Sequence, residues 1–198
     1  MKDISRWLAN GFPTWPGDPP FLLEPALQIS RGDAVNTARV TTPTHVGSHI
    51  DAPFHYHPEG AKLEQIPPEL LIGPCRVLQV GDRFLERLAD MDSLPPRVLL
   101  YTGQPARWER FPESYRALDP AEVEQLALLG AQLIGVDAPS VDPLDSRELP
   151  AHQACFRHGL IIAEGLDLTG VSEGLYQLIC LPMPLAGADG APLRAILL

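Results

Sequence analysis

The chain reads as a single α/β domain of mixed strands and helices. Three observations predict this. Its 198 residues suffice for one sizeable core and are few for two. Its hydrophobic share of 45% argues against a disordered or fibrous chain. Compact apolar runs alternate with helix-like segments, with no internal repeat or low-complexity tract between them. Twenty-two prolines and sixteen glycines add the expectation of many loops and short elements.

In chain order, residues 21–30 and 36–42 are short, partly β-branched runs bounded by turn formers, joined through Arg31-Gly32-Asp33. Residues 75–80 and 97–102 are apolar runs typical of buried strands, with a short helix-like piece over 84–91 between them. Asp119-Pro120-Ala121-Glu122 opens a helix, with Asp as N-cap, Pro at the first helical position and Glu at the capping-box position. That helix is expected to run to Leu129 and stop at Gly130. Residues 132–136 form a further buried strand ending at Asp137, and 148–158 a helix closed by Gly159, a favoured C′ residue. The strand 160–163 then ends at Glu164, and 178–183 and 192–198 close the chain as strands. A helix that packs back onto the strand following it places its first turns near that strand's carboxyl end. His152 and Glu164 are therefore expected at one sheet edge, where α/β proteins commonly bind ligands.

Net charge and cysteine usage bound the function. A formal charge of -10, without a Lys/Arg block, makes nucleic acid and anionic membrane poor partners. Asp3 and Arg6 interrupt the apolar run that a signal peptide needs, and no later stretch approaches a membrane span, so a cytoplasmic location is the expectation. Cys75, Cys155 and Cys180 are far apart, form no C-x-x-C pair and sit among apolar neighbours. They read as small buried hydrophobes without a disulfide framework.

Chemistry concentrates in His45-Val46-Gly47-Ser48-His49-Ile50-Asp51-Ala52-Pro53-Phe54-His55, which holds three of the chain's six histidines and a carboxylate. A lone histidine is more often a core or surface residue than a ligand. Imidazole and carboxylate at this density are the donor types that a divalent cation such as zinc selects. Four extended residues span roughly 13 Å, so His45 and His49 share an ion only if the chain curls. Gly47 sits where that curl is needed. His49 and Asp51, two apart, project from one face of an extended step. Pro53 disfavours helix at Ala52, and Val46 occupies the position at which a two-His helical protease needs its Glu. His57, followed by Pro58, reads as a solvated loop residue, and Asp137 and Asp142 as loop and hydrogen-bonding residues.

This stretch resembles the H-x-G-T-H-x-D-A-P-x-H signature of the cyclase-like metal hydrolases, with Ser48 for the usual Thr. Asp3-Ile4-Ser5, Pro13-Thr14-Trp15-Pro16-Gly17-Asp18, the run from Leu133 to Pro143 and the closing run from Ala186 to Ala195 are similar to the formamidase branch. The resemblance implies a compact α/β domain with a β-barrel-like core and helices packed outside. It also implies two divalent ions per subunit, normally zinc. His45, His49 and Asp51 would hold one, and Asp51 would bridge to a second held by His152 and Glu164. The implied reaction is hydrolysis of the aryl formamide N-formyl-L-kynurenine to L-kynurenine and formate in tryptophan degradation, by water activated on the ion pair. His55 would carry the proton, with a further ligand as its other reading. Trp15, in a loop stiffened by Pro13, Pro16 and Gly17, would face the aryl ring. The resemblance further implies a homodimer or larger homo-oligomer. Three other readings stay open: a family member acting on an isatin-like cyclic amide or a lactone, a non-catalytic metal-binding module, and a mononuclear enzyme.

Overall fold

In the computed structural model, which describes residues Met1–Leu198, the elements follow in this order: β1 (Lys2–Asp3), β2 (Leu22–Leu27), β3 (Thr37–Thr41), β4 (His49–Asp51), β5 (Ile72–Gln79), α1 (Phe84–Ala89), β6 (Arg97–Tyr101), α2 (Pro120–Leu128), β7 (Leu133–Val136), α3 (Pro150–His158), β8 (Ile161–Glu164), β9 (Gly174–Pro182) and β10 (Gly190–Leu197). The sheet runs β10-β4-β8-β7-β6-β5-β9, and β9 pairs back onto β10. Seven strands thus close a mixed barrel, with β1 added beside β10. The β5–β6, β6–β7 and β7–β8 pairings are parallel. Parallel neighbours need a crossover, and α1, α2 and α3 lie in those three connections.

The strand sequences explain the two cores. Val98, Leu100, Ile134 and Ile162 pack with Phe84 and Leu88 of α1, Val123 and Leu126 of α2, and Ala151 and Cys155 of α3. Their sequence neighbours Leu99, Leu133, Ile161 and Ala163 turn the other way, into a cluster with Ile50, Val77, Leu178, Cys180 and Ala195. Side chains alternate with a period of two. A strand covered by helices on one face and by the barrel interior on the other therefore reads as an unbroken apolar run, as in Leu133–Val136. All three cysteines are free and buried, as expected. No helix is long and apolar enough to cross a membrane.

Two features go beyond the sequence reading for physical reasons. β9 begins at Gly174, because Gly174 to Gln177 pair with β5 while Leu175 points into solvent. An apolar-run criterion misses such a half-exposed start. The runs around β2 and β3 do form a hairpin, but every residue of both strands is exposed. Asn10 ties this arm to the body, accepting from Leu23 N at 2.6 Å and donating to Leu23 O at 3.0 Å.

Close backbone approach at the barrel rim sets up the site. Gly165, just after β8, has φ +64, and a Cβ there would land on the carbonyl of Gly47. Gly165→Ala should therefore cost about 2–4 kcal/mol, from the left-handed backbone and the overpacking together. Urea unfolding checks this, and a wild-type midpoint would contradict the close approach.

Candidate metal centre

The strand register brings the polar side chains together. His49 of β4 lies directly across from Glu164 of β8, while Asp51 pairs with Gly190 of β10. Gly47, at φ +57, supplies the expected curl and folds His45 back until its Nδ1 is 2.8 Å from Asp51 Oδ1. His49 Nε2 lies 3.3 Å from Asp51 Oδ1 and 3.5 Å from Glu164 Oε2. The first turn of α3 delivers His152, whose Nε2 is 3.3 Å from Asp51 Oδ2 and 3.6 Å from Glu164 Oε1. All five predicted ligands thus converge on one rim of the barrel, and Asp51, fully buried, is at their centre. Donor atoms fall within 4.8 Å of one another in two groups, His49 with Asp51 and Glu164, and His45 with Asp51 and His55. Asp51 belongs to both, and His49 borders both.

Each of the three imidazoles turns one nitrogen inward and ties the other to an acceptor. His49 Nδ1 donates to Gly47 O at 3.1 Å, His152 Nδ1 to Asp142 Oδ2 at 2.7 Å, and His45 Nε2 to Asp189 Oδ2 at 3.1 Å. In the neutral ring these acceptors favour the proton on the outer nitrogen and leave the inner one a lone pair. Ligating histidines are held by outer acceptors in this way. Together with two buried carboxylates facing them, this donor set fits a divalent cation bound through nitrogen and oxygen.

The second rank of residues was only partly visible in the sequence. Asp142, expected to make hydrogen bonds, also caps α3 by accepting from Ala151 N and His152 N at 2.9 Å each. Asp137 accepts from the backbone of Thr102, Gly103 and Gln104 and from the Thr102 hydroxyl, so it braces a loop as expected. Ser48 Oγ donates to Gly165 O at 2.7 Å and accepts from Arg6 N at 2.9 Å, holding the ligand loop to the barrel. Asp189 escaped the sequence reading, because only the β10–β4 register places it beside His45. His57 departs from expectation: it is half-buried and stacks on Phe156, centroids 3.8 Å apart.

His55 sits at the mouth of the cluster, its ring 3.8 Å from that of His45 and 6.1 Å from that of His152. A cleft of about 440 Å³ opens over it, walled by Pro13, Trp15, Trp108, Phe111 and Leu149. Trp15 meets Phe111 edge to face at 5.3 Å. Apolar walls around a few convergent polar groups are typical of a small-molecule site.

Electrostatics follow from burial and pairing. Burial opposes protonation of His49, but Asp51 and Glu164 outweigh it and raise its pKa to about 10. His152 likewise rises to about 10 against burial, through Asp142 and Asp51, and His45 to about 9, through Asp51 and Asp189. Asp51, despite burial, is held well below the usual carboxylate range by His45, His152 and His49. Burial lowers His55 below the ordinary histidine value. In the metal-free chain the three raised imidazoles therefore stabilise the fold fully below about pH 6.5, and that stabilisation is lost as pH rises through about 9 to 10. Melting of the metal-stripped protein should fall across this window, and the metal-loaded protein, whose ligand imidazoles are neutral, should not share the decline. A flat metal-free profile would contradict the pairing.

The chain matches the family model described as "Putative cyclase" over residues 2–143. A kynurenine formamidase from Geobacillus thermodenitrificans (strain NG80-2) is 41% identical over 199 residues, covering 98% of this chain and 95% of that protein. A solved structure of a predicted metal-dependent hydrolase from Bacillus stearothermophilus has a TM-score of 0.76 at 27% identity, covering 99% of this chain and 96% of the other. Isatin hydrolase A from Ralstonia solanacearum shares the fold, with a TM-score of 0.75 at 20% identity over 98% of this chain and 89% of the other. The family match over most of the chain, and the identity sustained from end to end, show that this chain belongs to the cyclase family.

Proposed function

We propose that the chain is a zinc-dependent arylformamidase that hydrolyses N-formyl-L-kynurenine to L-kynurenine and formate. The observation that carries this reading is the buried Asp51 shared by two donor groups, one of which includes His55 at the floor of an aromatic-walled cleft. The 41% identity to a kynurenine formamidase supports the choice of substrate. In this reading His45, His49 and Asp51 would hold one zinc ion, and Asp51, His152 and Glu164 a second. Such ions supply Lewis acidity, which lowers the pKa of a bound water from about 15.7 toward 7 and polarises a carbonyl.

The protein's own groups do the rest. His55, with its pKa lowered by burial, is neutral near pH 7 and accepts the proton of the attacking water. It returns that proton to the aniline nitrogen as the formyl C–N bond breaks, so formate leaves and the free amine remains. Trp15 and Phe111 present the aryl ring with apolar surface, which orients the formyl group over the rim. The chain acts on a small molecule in the cytoplasm.

We further infer a homodimer or larger homo-oligomer. An isolated two-stranded hairpin is marginally stable in water, and the β2–β3 arm exposes Leu23, Leu27, Ile29 and Val40. Sedimentation should give at least a dimer, with Leu23→Asp/Val40→Asp shifting it toward monomer. A wild-type monomer would sink this reading.

Release of kynurenine from N-formylkynurenine tests the activity. Zinc-loaded protein should turn it over and metal-stripped protein should not. His55→Ala should lose about 10²- to 10⁴-fold in kcat with metal content unchanged. No release by zinc-loaded wild type would exclude the formamidase.

A further inference from the structure

Asp189 stands outside the implied ligand set, yet it touches both the ligands and the proton carrier. Its Oδ2 lies 3.1 Å from His45 Nε2 and 3.6 Å from His55 Nδ1. Those two rings face each other at 3.8 Å between centroids. The other nitrogen of His45, Nδ1, faces Asp51 Oδ1. For Nδ1 to offer a lone pair to a cation, the ring proton must sit on Nε2, and Asp189 is the acceptor placed to receive it. His49 and His152 have outer acceptors too, the backbone carbonyl of Gly47 and the Asp142 carboxylate, and in neither case does the structure show that acceptor beside a second imidazole.

The fold builds this position. Asp189 immediately precedes β10, and its carbonyl accepts from Ala52 N at 2.9 Å. The next residue, Gly190, pairs with Asp51, and a Cβ on it would lie 2.6 Å from Ile50 O and 2.7 Å from His45 Cε1. Only glycine lets the strand run this close to the ring. The Asp189 carboxylate lines the cleft and is partly exposed, while the pairing that holds its backbone is main-chain.

We propose that Asp189 is a shared positioning residue, one carboxylate that fixes the tautomer of His45 for metal binding and orients His55 for proton transfer. The inference rests on reading His45 as a ligand and His55 as the proton carrier. Outer carboxylates that hold ligating histidines typically matter 10- to 100-fold in metal affinity or activity, and here one group would carry both effects.

The test compares wild type with Asp189→Ala and Asp189→Asn, each checked for a wild-type circular dichroism spectrum. Zinc affinity is read by competition with a chromophoric chelator, kcat and KM at saturating zinc, and the His55 ring from crystal structures. Asp189→Ala should weaken zinc binding about 10- to 100-fold, lower kcat by a similar factor with KM little changed, and release the His55 ring from its tilted contact with His45. Asp189→Asn keeps an acceptor oxygen and should regain most of the zinc affinity while kcat stays low. Wild-type zinc affinity in Asp189→Ala, or an unmoved His55 ring, would overturn the proposal. Zinc affinity and ring position need no substrate. Weakened zinc binding and a displaced ring, alongside a wild type that releases no kynurenine, would sink the formamidase reading and leave this one standing.

Discussion

The site depends on one carboxylate that has no access to water. Asp51 is fully buried, and an ionised carboxylate out of water is very costly unless charge and hydrogen bonds compensate it. Three imidazoles supply that compensation in the metal-free chain, two on Oδ1 and one on Oδ2. The same geometry sets each Asp51 oxygen beside imidazole nitrogens that could share a cation with it. Stability and the proposed metal binding would thus draw on a single arrangement, for which protons and cations would compete.

The barrel exists in a form that delivers this group. β4 is three residues long, yet it is wedged between β10 and β8 and closes the ring. With so short a strand, His49 and Asp51 occupy its two ends and point the same way. Glu164 enters by register from β8, and His152 from the first turn of α3, which Asp142 both caps and couples to the imidazole. Three glycines permit the crowding: Gly47 for the curl, and Gly165 and Gly190 where backbone meets backbone or ring. Polar contacts tie these elements to one another at the rim.

Much of this was legible in the amino-acid sequence, for reasons that can be traced. The parallel strands were visible because burial on both faces leaves an unbroken apolar run, as at Leu133–Val136. α2 was visible because Asp119, Pro120 and Glu122 form a complete start signal, and the structure shows the capping box. The ligand loop was visible as a density of histidines, and the juxtaposition of His152 with Glu164 from the helix–strand order. Closure of the barrel came only through the family resemblance, which implied a barrel-like core, since pairing of β9 with β10 is a long-range event that no local pattern encodes. Asp189 was hidden for the same reason: its meaning comes from the register of β10 on β4. The exposed arm reads as ordinary strands, because exposure on both faces is a property of where a hairpin sits rather than of its residues.

In the proposed mechanism Asp51 is shared between two cations. Anomalous diffraction at the zinc absorption edge from crystals of the zinc-loaded protein tests it most directly. Two peaks per chain are predicted, one on each side of Asp51, with His45 beside one, His152 beside the other and His49 within reach of the ion it borders. A single peak per chain, or peaks that leave Asp51 out of the coordination sphere, would contradict it.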